Sequence, residues 1–403
     1  MKRIMFLGGT SLQLPAMQYA KDRGYYTILC DYDPNTLGKA YADEFYPIST
    51  VDKQKIAEVA EKTRINGIIA YLSDTAAPTA AFVANKLNLP ANPYDSVLTL
   101  TKKDLFRRFL SENGFSCPQA KSYKSLLEAK KEICKFTFPL MLKPIDSSGS
   151  RGISLIRNPG ELETAYKMAC AHSKEKTIIM EEFIEMTHTH QIGGDIFVID
   201  GKIEFFGFLN CHRNLWNPFI PVGKSYPLLL DNKKVEIIRN ELQRLIHLLK
   251  IKSGPFNIEV ILGKDEKPYI IEMAPRNGGN LIPNLLEMAT GIDTVKLTIE
   301  TALGNKSNIL PLVDSDVCYA TYALHSQKEG KLVSIHHHKE IRGNIVKQVL
   351  FKEKGAIIEP FNGADKTIGF IFLKFHDLEE LKNKMENMNQ YIDIELSPMK
   401  LAT

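Results

Sequence analysis

The chain has 403 residues, which is enough for two or three domains with well-buried cores. Its formal net charge is only +4 and no basic run stands out, which argues against nucleic acid as the main partner. No apolar stretch reaches membrane-spanning length, and the apolar run at the start is too short for a signal peptide, so we expect no membrane partner. The six cysteines lie far apart without a CxxC pair, which predicts reduced thiols in a cytoplasmic protein.

Residues 1–95 alternate between strand and helix patterns. Strands are predicted at RIMFLGG, YYTILCDYD and INGIIAYLSD, and helices at about residues 13–23, at KQKIAEVAEKTR and at AAPTAAFVANKLNLP. This alternation predicts parallel βαβ units and therefore an α/β domain. Gly8 and Gly9 end the first strand, where open α/β sheets bind ligands. The stretch GGTSLQ is not GxGxxG, however, which disfavours a nicotinamide-dependent oxidoreductase.

The pattern changes after the turn-rich linker NLPANPYDS. The stretch SVLTLTKKDLFRRFLSENGF is predicted as one amphipathic helix stopped by Gly114. Strands with short turns follow, and IDGK is the clearest hairpin turn. We therefore predict an α+β domain at 96–305, with a lid lobe at about 115–185. A C-terminal α+β subdomain is predicted at 306–403, with strands near YATYALHS and TIGFIFLKF and a helix at LEELKNKMENM.

Two glutamates in one predicted hairpin form the first candidate site. If Leu262 pairs with Tyr269 across GKDEKP, Glu259 lies directly opposite Glu272, and Ile270 shares their face. Carboxylates about 5 Å apart across a ladder repel each other, and a divalent cation would compensate that repulsion. Oxygen ligands favour Mg²⁺. The alternative is a register shift or bulge that places one glutamate on each solvent face.

Arg276 is a further candidate, because it follows Glu272 by four residues, just past the predicted strand. A fixed guanidinium beside a metal site suits a phosphate or a developing oxyanion. The alternative is a salt bridge to one of the two glutamates. The next turn, NGGN, contains Gly278 and Gly279 and offers backbone N–H groups for anion contact.

The stretch LKPIDSSGSRGI indicates a phosphate-contacting loop. Lys143 ends an apolar run and could reach a phosphate as a point charge, while residues 147–152 offer N–H and hydroxyl groups without bulk. It is not a Walker A loop, because it lacks GK[ST] and no helix is predicted after it. A surface hairpin loop is the alternative. Lys103 is a second candidate phosphate lysine, with a solvated helix face as its alternative.

Three further stretches are open to two interpretations. In IIMEEFIEM, Glu181 could accept a hydrogen bond from the exocyclic amine of an adenine, or the stretch could be an ordinary strand end. In residues 209–227, Arg213 could clamp a carboxylate, or it could lie salt-bridged in a surface loop. The adjacent histidines 336–338 would point in different directions, which disfavours a metal site there.

Taken together and in this order, these stretches resemble the ATP-grasp superfamily. The sequence is similar to its carboxylate–amine ligase branch, near the carbamoyl-phosphate synthase large subunit, biotin carboxylase and bacterial L-amino-acid ligases. The resemblance covers roughly residues 1–305. It implies a pre-ATP-grasp domain at 1–95 and an ATP-grasp domain at 96–305, whose two lobes grip ATP between antiparallel sheets. The implied partners are small-molecule carboxylate and amine substrates. The tail would pack on the grasp domain, and a homodimer is compatible with it.

The resemblance also implies a role for each matching residue. Lys103 and Lys143 would hold the α- and β-phosphates, and Glu259 and Glu272 would hold two Mg²⁺ ions, with Mn²⁺ as an alternative. Arg276, together with Lys143, would be catalytic and would steady the transferred phosphoryl group. Substrate contacts would come from Arg213, Gly278 and Gly279. The remaining ATP contacts would be Ser147, Ser148, Gly149, Ser150 and Gly152 in the lid loop, Glu181, Glu182, Phe183 and Ile184 at the adenine, and Gln191 at the ribose.

Two positions depart from the family pattern. Gln191 stands where the family usually has a glutamate, and Ala274 stands where many members have a metal-binding asparagine. The second metal site would then depend on Glu272 and water. The implied reaction joins a carboxylate to an amine (or thiol) through an acyl phosphate, with ADP and phosphate as products; an amino-acid or dipeptide ligase is one form of it. The alternatives are a carbamoyl-phosphate-type or bicarbonate-activating enzyme and a non-catalytic ATP-binding protein.

Overall fold

The N-terminal region is a parallel α/β unit, as predicted. The computed structural model describes residues 1–147, 149–306, 309 and 317–398. Four parallel strands lie in the order β3-β2-β1-β4, and the short apolar run of β1 is buried, as is typical of parallel sheets covered by helices. The elements are β1 (Arg3–Leu7), α1 (Leu14–Asp22), β2 (Tyr26–Cys30), β3 (Glu44–Tyr46), α2 (Lys53–Thr63), β4 (Gly67–Ile69) and α3 (Ala77–Lys86).

The amphipathic stretch after the linker is two helices, so the prediction of one helix was wrong. They are α4 (Tyr94–Thr101) and α5 (Lys103–Glu112). Lys102 between them is extended, with φ −112° and ψ 116°. The backbone N–H of Lys103 donates to the carbonyl of Ile145 at 3.2 Å instead of continuing the helical ladder. The break therefore joins the start of α5 to the loop that follows Lys143.

A four-stranded antiparallel sheet lies within residues 115–185, where a lid lobe is predicted. The strands lie in the order β5-β8-β6-β7, and two helices pack on one face over a core that includes Leu140, Leu142 and Met180. The elements are β5 (Ala120–Tyr123), α6 (Leu126–Glu132), β6 (Leu140–Pro144), β7 (Ser154–Ile156), α7 (Leu162–Ala171) and β8 (Ile178–Glu182).

An eight-stranded antiparallel sheet runs from the predicted grasp domain into the tail, in the order β13-β12-β9-β10-β11-β14-β18-β16. A smaller sheet, β17-β15-β19, lies in the tail. The strands are β9 (Gln191–Ile199), β10 (Lys202–Arg213), β11 (Pro221–Tyr226), β12 (Gly254–Leu262), β13 (Pro268–Ala274), β14 (Cys318–Leu324), β15 (Gly330–His337), β16 (Ile345–Leu350), β17 (Ile357–Ile358), β18 (Gly369–Phe375) and β19 (Ile392–Ser397). The helices are α8 (Asn232–Leu248), α9 (Ile282–Thr290), α10 (Thr294–Ala302), α11 (Lys339–Arg342) and α12 (Leu378–Glu386).

At β12 one face of the large sheet packs in a core and the other face carries the opposed glutamates. The apolar side chains of α8 recur at positions 238, 242, 245 and 246, which places them on one helix face. They pack with Phe256, Ile258 and Val260, the alternate residues of β12. The intervening residues of β12, Glu259 among them, therefore lie on the other face.

Several smaller predictions can be compared with these elements. The predicted α/β and α+β fold class is confirmed, and so is the IDGK turn, where Asp200 and Gly201 have φ of 48° and 80°. Three tail strands share the large sheet, and the boundaries at 95 and 305 stay predictions. All six cysteines are free. No helix in the described ranges combines the length and apolar character needed to cross a membrane.

The three adjacent histidines contact three different partners. His336 Nε2 lies 3.5 Å from Glu395, His337 Nε2 lies 2.8 Å from the Gln348 side chain, and His338 Nε2 lies 2.7 Å from Asp393. Their side chains diverge, in line with the expectation that disfavoured a metal site.

Candidate active site

Glu259 of β12 lies directly opposite Glu272 of β13, as predicted. The pairing assumed near the turn was wrong, because Leu262 pairs with Pro268 and not with Tyr269. A bulge between Glu259 and Val260 absorbs the difference of one residue. It also leaves Ile270 opposite Val260 in the core, so the prediction that Ile270 shares the glutamate face was wrong. The two carboxylates thus remain opposed, although the register on one side of them differs.

The two glutamates differ in their electrostatic surroundings. Gln191 Nε2 donates to Glu259 Oε2 at 2.8 Å, and the Arg213 guanidinium lies 3.8 Å from the same oxygen. Burial alone would raise the pKa of Glu259, but the charges of Arg213 and Lys224 outweigh it and lower the pKa. Burial raises the pKa of Glu272, and the carboxylates of Asp74 and Glu259 add to that increase. The charges of Lys103 and Arg276 lower the pKa of Glu272 but do not outweigh its burial.

The donor set fits a magnesium ion that is shared with a ligand. In proteins Mg²⁺ is commonly held by one or two carboxylates, with phosphate oxygens and water completing the octahedron. Glu259 and Glu272 supply two such carboxylates, and Ala274 supplies no side-chain oxygen. Within the described ranges, no group of three or more His, Cys, Asp or Glu side chains could hold a metal. The pair therefore fits a metal that arrives with phosphates, and does not form a complete cage by itself.

Lys143 belongs to a buried ion cluster with Glu181. Lys143 Nζ lies 2.6 Å from Glu181 Oε2, and Arg107 Nε lies 3.0 Å from Glu181 Oε1. Glu181 is only 2% exposed. Burial alone would raise the pKa of Glu181, but the charges of Arg107 and Lys143 outweigh it and lower the pKa to about 2. Arg107 also donates to the carbonyl of Ile271 at 2.8 Å, which joins this cluster to the glutamate hairpin.

The loop between β6 and β7 lies against both Lys103 and the segment after β10. Lys103 Nζ donates to the carbonyl of Ser147 at 2.7 Å, and Ser150 Oγ donates to the carbonyl of Phe219 at 2.7 Å. Gly149 has φ +67°, and a Cβ added there would meet nothing within 4 Å. Ser148 lies outside the described residues. The strand β7 follows, so the expectation that no helix follows this loop is confirmed.

The end of β8 carries the predicted adenine contacts. Glu182 Oε1 accepts the backbone N–H of Thr137 at 2.7 Å, and the Phe183 N–H donates to the carbonyl of Pro139 at 3.0 Å. Phe183 and Ile184 line the largest cavity, and Phe183 is partly exposed. Glu181 points its carboxylate at Lys143 and Arg107, so its proposed contact with an adenine amine stays a prediction.

Arg276 is held by a residue that the sequence analysis missed. Its Nε and Nη2 donate to the two carboxylate oxygens of Asp74 at 2.7 and 2.8 Å. The predicted alternative, a salt bridge from Arg276 to Glu259 or Glu272, was therefore wrong: Arg276 forms its salt bridge with Asp74 of the N-terminal region. Asp74 closely follows β4, so the rule that ligands bind at the carboxyl ends of parallel strands was a signal that could have identified it.

In the turn NGGN, which is predicted to contact an anion, the amide of Gly278 already has a hydrogen-bond partner, and Gly279 has open space beside it. Gly278 N–H donates to Asp195 Oδ2 at 2.9 Å, and a Cβ at Gly278 would lie 2.6 Å from Asp195 Oδ1. Asp195 is fully buried, and its burial raises its pKa to about 6 despite the hydrogen bonds from Gly278 and Asn257. A Cβ at Gly279 would meet nothing within 4 Å. The hydrogen bond to Asp195 thus holds the turn in place. The substrate contacts predicted for Gly278 and Gly279 stay predictions.

Two basic residues of the large sheet reach the same face as Glu259. The Arg213 guanidinium donates to the side chain of Gln191 and, at 3.1 Å, to the carbonyl of Phe219. Lys224, which the sequence analysis missed, is 5% exposed and donates to Cys211 Sγ at 2.7 Å. No carboxylate in the described ranges lies within ion-pair distance of Lys224. A buried ammonium of this kind adds positive potential beside Glu259.

Two adjoining cavities contain these groups. One of about 700 Å³ lies between the two antiparallel sheets and is lined by Lys143, Glu181, Gln191, Arg213 and Glu259. A second, of about 340 Å³, is lined by Asp74, Lys103, Ser147 and Glu272. Ile271 contributes to both. The opposed glutamates therefore stand at the junction of two spaces, each of which contains a lysine.

Comparison with known proteins agrees with this arrangement. Residues 136–284 match the ATP-grasp domain family. This match confirms the resemblance found in the motifs.

Similar proteins include several ligases. The carbamoyl phosphate synthase large chain of Thermotoga petrophila is 26% identical over 294 residues, which cover 70% of this chain and 26% of that protein. The chain thus spans about a quarter of the length of this relative. The L-amino acid ligase from Bacillus licheniformis superposes with a TM-score of 0.82 and 21% identity, covering 98% of this chain and 99% of that one. Phosphoribosylglycinamide synthetase from Anaerococcus prevotii superposes with a TM-score of 0.77 and 22% identity, covering 98% of this chain and 100% of that one. These likenesses establish the fold.

Proposed function

We propose that the protein is an ATP-dependent ligase that joins a carboxylate to an amine (or thiol) through an acyl phosphate. The observation that carries the proposal is the opposed pair Glu259 and Glu272 at the junction of two cavities. Lys143 lies in one cavity and Lys103 in the other, with Arg276 held beside the second by Asp74. Acidic metal ligands flanked by fixed cations suit a polyphosphate and poorly suit an uncharged ligand.

The nucleotide would lie between the two antiparallel sheets. Lys143 and Lys103 are proposed to hold its phosphates, and the loop 147–152 is proposed to cover them. The small side chains of that loop leave room for its backbone to approach oxygens closely. The adenine would lie against Phe183 and Ile184, and Gln191 would contact the ribose while it orients Glu259.

Glu259 and Glu272 would hold Mg²⁺, with two ions proposed and Mn²⁺ as an alternative. The metal would supply charge neutralisation on the phosphate oxygens. The raised pKa of Glu272 supports this role, because a carboxylate beside two others gains most from a cation. The chain's own contribution is to hold these carboxylates rigidly, since both lie in one hydrogen-bonded hairpin.

The proposed reaction has two steps. A substrate carboxylate oxygen attacks the γ-phosphorus of ATP, and the bond from that phosphorus to the β–γ bridging oxygen breaks, releasing ADP. An amine nitrogen then attacks the acyl carbon, the carbon–oxygen bond to phosphate breaks, and the nitrogen loses its extra proton to solvent. The guanidinium of Arg276 would steady the transferred phosphoryl group and the tetrahedral oxyanion. Positioning and charge neutralisation would dominate the rate.

The experiment that tests this proposal measures ADP and phosphate release from Mg²⁺–ATP. The protein is offered pooled amino acids, dipeptides and small carboxylates, each with and without bicarbonate. Release that requires an acid and an amine would support the ligase. Release with bicarbonate alone would favour a bicarbonate-activating enzyme, which is the second candidate because of the match to carbamoyl phosphate synthase. ATP binding without any release would favour a non-catalytic protein and overturn the ligase proposal.

We expect Asp74→Asn to lower the turnover number by roughly 10²-fold, because Arg276 loses the charged partner that fixes its position. The loss should fall mainly on the turnover number, because Asp74 acts through Arg276 and is not itself proposed to contact ATP. Steady-state kinetics and thermal melting check this expectation. Asp52→Asn, an exposed helix cap in the same region, is the control. A loss of stability without a loss of turnover would contradict the positioning role.

A further inference from the structure

The largest cavity continues beyond the residues proposed to bind ATP. Its far end is walled by Val222, Tyr322, His325, Met385 and Met388, which together are called the C-terminal pocket below. Val222 lies in β11, Tyr322 in β14 and Met385 in α12, while His325 and Met388 lie just after β14 and α12. All but Val222 lie outside the residues that match the ATP-grasp family. Nothing in the proposed nucleotide site uses them.

Most residues named in the C-terminal pocket are apolar, although Glu386 and Asn389 line the same cavity beside Met385 and Met388. Val222, Tyr322, Met385 and Met388 are all buried. Burial raises the pKa of Tyr322 to about 12, so its phenol is neutral, and burial lowers the pKa of His325. The Nδ1 of His325 lies 2.8 Å from the carbonyl of Ala323, which assigns the ring proton to that nitrogen. Val222, Tyr322, Met385 and Met388 therefore present a mainly apolar wall to a ligand.

One side of the C-terminal pocket is bordered by a loop that contains large apolar residues. Residues 214–220 connect β10 to β11, and Trp216 there is 63% exposed while lining the cavity. Phe219 of the same loop accepts the hydrogen bond from Ser150 of the loop proposed to cover the phosphates. The C-terminal pocket is therefore linked to the proposed nucleotide cover.

Arg213 stands where the C-terminal pocket meets the proposed metal site. Its guanidinium lies 3.8 Å from Glu259 Oε2, and the loop that walls the pocket begins at the next residue. A substrate carboxylate beside Arg213 would lie next to the proposed phosphate site. Its side group would then extend toward Val222 and the tail residues.

We propose that the carboxylate substrate is an acid with a bulky apolar side group, which fills the C-terminal pocket. This inference rests on the proposed ligase function and specifies its acyl substrate. Val222, Tyr322, Met385 and Met388 are the specificity-determining residues. A pocket of this kind discriminates by size: each methylene that is added or lost changes kcat/KM by roughly 10–200-fold.

The test uses two readouts on the full chain. Trp216 is the only tryptophan, so its fluorescence reports occupancy of this end of the cavity without requiring turnover. Leucine, methionine and phenylalanine are titrated against alanine, serine and aspartate, with Mg²⁺ and a non-hydrolysable ATP analogue present. ADP release with ATP and the same acids is then measured. We expect the apolar acids to change the fluorescence at concentrations at least about tenfold lower than the small or charged ones.

Two variants separate this inference from the ligase proposal. Val222→Phe should fill the pocket and lower kcat/KM for the bulky acids by roughly 10–200-fold, with ATP affinity unchanged. Met385→Ala should enlarge the pocket and shift the preference toward larger acids. It tests the same assignment if Val222→Phe does not fold. Val346→Phe, at an exposed position on β16, is the matched control.

The outcomes are distinguishable. Turnover with small or charged acids and not with bulky apolar ones would overturn the C-terminal pocket inference and leave the ligase proposal standing. Binding of apolar acids without ADP release would retain the pocket and overturn the ligase. Unchanged selectivity in both variants would also overturn the assignment of these residues.

Discussion

Replacing Glu272 with glutamine should lower ATP-dependent ADP release by roughly 10²–10³-fold, the loss typical of removing one charge-stabilising group from an active site. Glutamine has nearly the same shape, so the hairpin opposite Glu259 should keep its register. Because Glu272 lies near the carboxylates of Asp74 and Glu259, removing its charge relieves repulsion in the metal-free protein. We therefore expect the melting temperature without Mg²⁺ to stay equal or rise.

Ligand-induced stabilisation provides a second measurement for this variant. A ligand that binds only the folded state stabilises it, and the stabilisation grows with the logarithm of the ligand concentration divided by Kd. Mg²⁺–ADP should therefore stabilise the wild type and should stabilise Glu272→Gln much less. Glu236→Gln, on the exposed face of α8, is the control and should behave as the wild type. Full activity or full Mg²⁺–ADP stabilisation in Glu272→Gln would contradict the assignment of Glu272 as a metal ligand.

Replacing Glu181 with glutamine should destabilise the protein by about 3–5 kcal/mol, because it leaves two buried cations without their anion. Lys143 and Arg107 both contact Glu181, and all three side chains are buried. Urea unfolding without nucleotide measures the change in the free energy of unfolding. The matched control is Glu163→Gln, since Glu163 also lies between two lysines, at 2.8 Å from each, but in solvent. We expect little change there, because exposed ion pairs are hydrated and screened.

The same cluster predicts a loss of stability in acid. The pKa of Glu181 is lowered from 4.5 to about 2 in the folded protein. The stabilisation from this carboxylate is therefore complete above pH 4.5 and is lost as the pH falls toward 2. The stability difference between the wild type and Glu181→Gln should shrink over that interval. A difference that is constant down to the lowest pH at which the protein folds would show that Glu181 is not paired as described.

The sequence was most informative where contacts are local. The strands of the hairpins and the IDGK turn follow from local patterns and short turns. Glu259 and Glu272 lie opposite each other as predicted, but through a bulge that the assumed pairing did not contain. The bulge beside Glu259 was not visible, because an inserted residue in a ladder leaves no signal in an apolar run. The break at Lys102 was missed for a related reason, since the amphipathic pattern continues across it.

The partners of the site residues were harder to predict because they are distant in sequence. Asp74 and Arg276 are 202 residues apart, and Lys143 and Glu181 are 38 apart. Arg107 lies in a helix whose pattern suggests an ordinary solvated arginine, yet it is buried against Glu181. Lys143 and Glu181 meet because β6 pairs with β8, whereas Asp74 and Arg276 meet through the packing of the N-terminal region beside the hairpin. The individual candidate residues could therefore be named from the sequence, whereas their pairing could not.

The continuity of the large sheet also determines which parts can move. Eight strands, from β13 to β16, are joined by one hydrogen-bonded ladder, so shifting the tail against the glutamate hairpin would require ladder bonds to break. The four-stranded sheet has a separate core and joins the rest of the chain through residues 113–119 and 183–190. Opening and closing should therefore be a rotation of the smaller sheet about those two connections. The larger sheet would stay fixed during this rotation. An acid bound by the tail would therefore stay in place while the nucleotide enters and leaves.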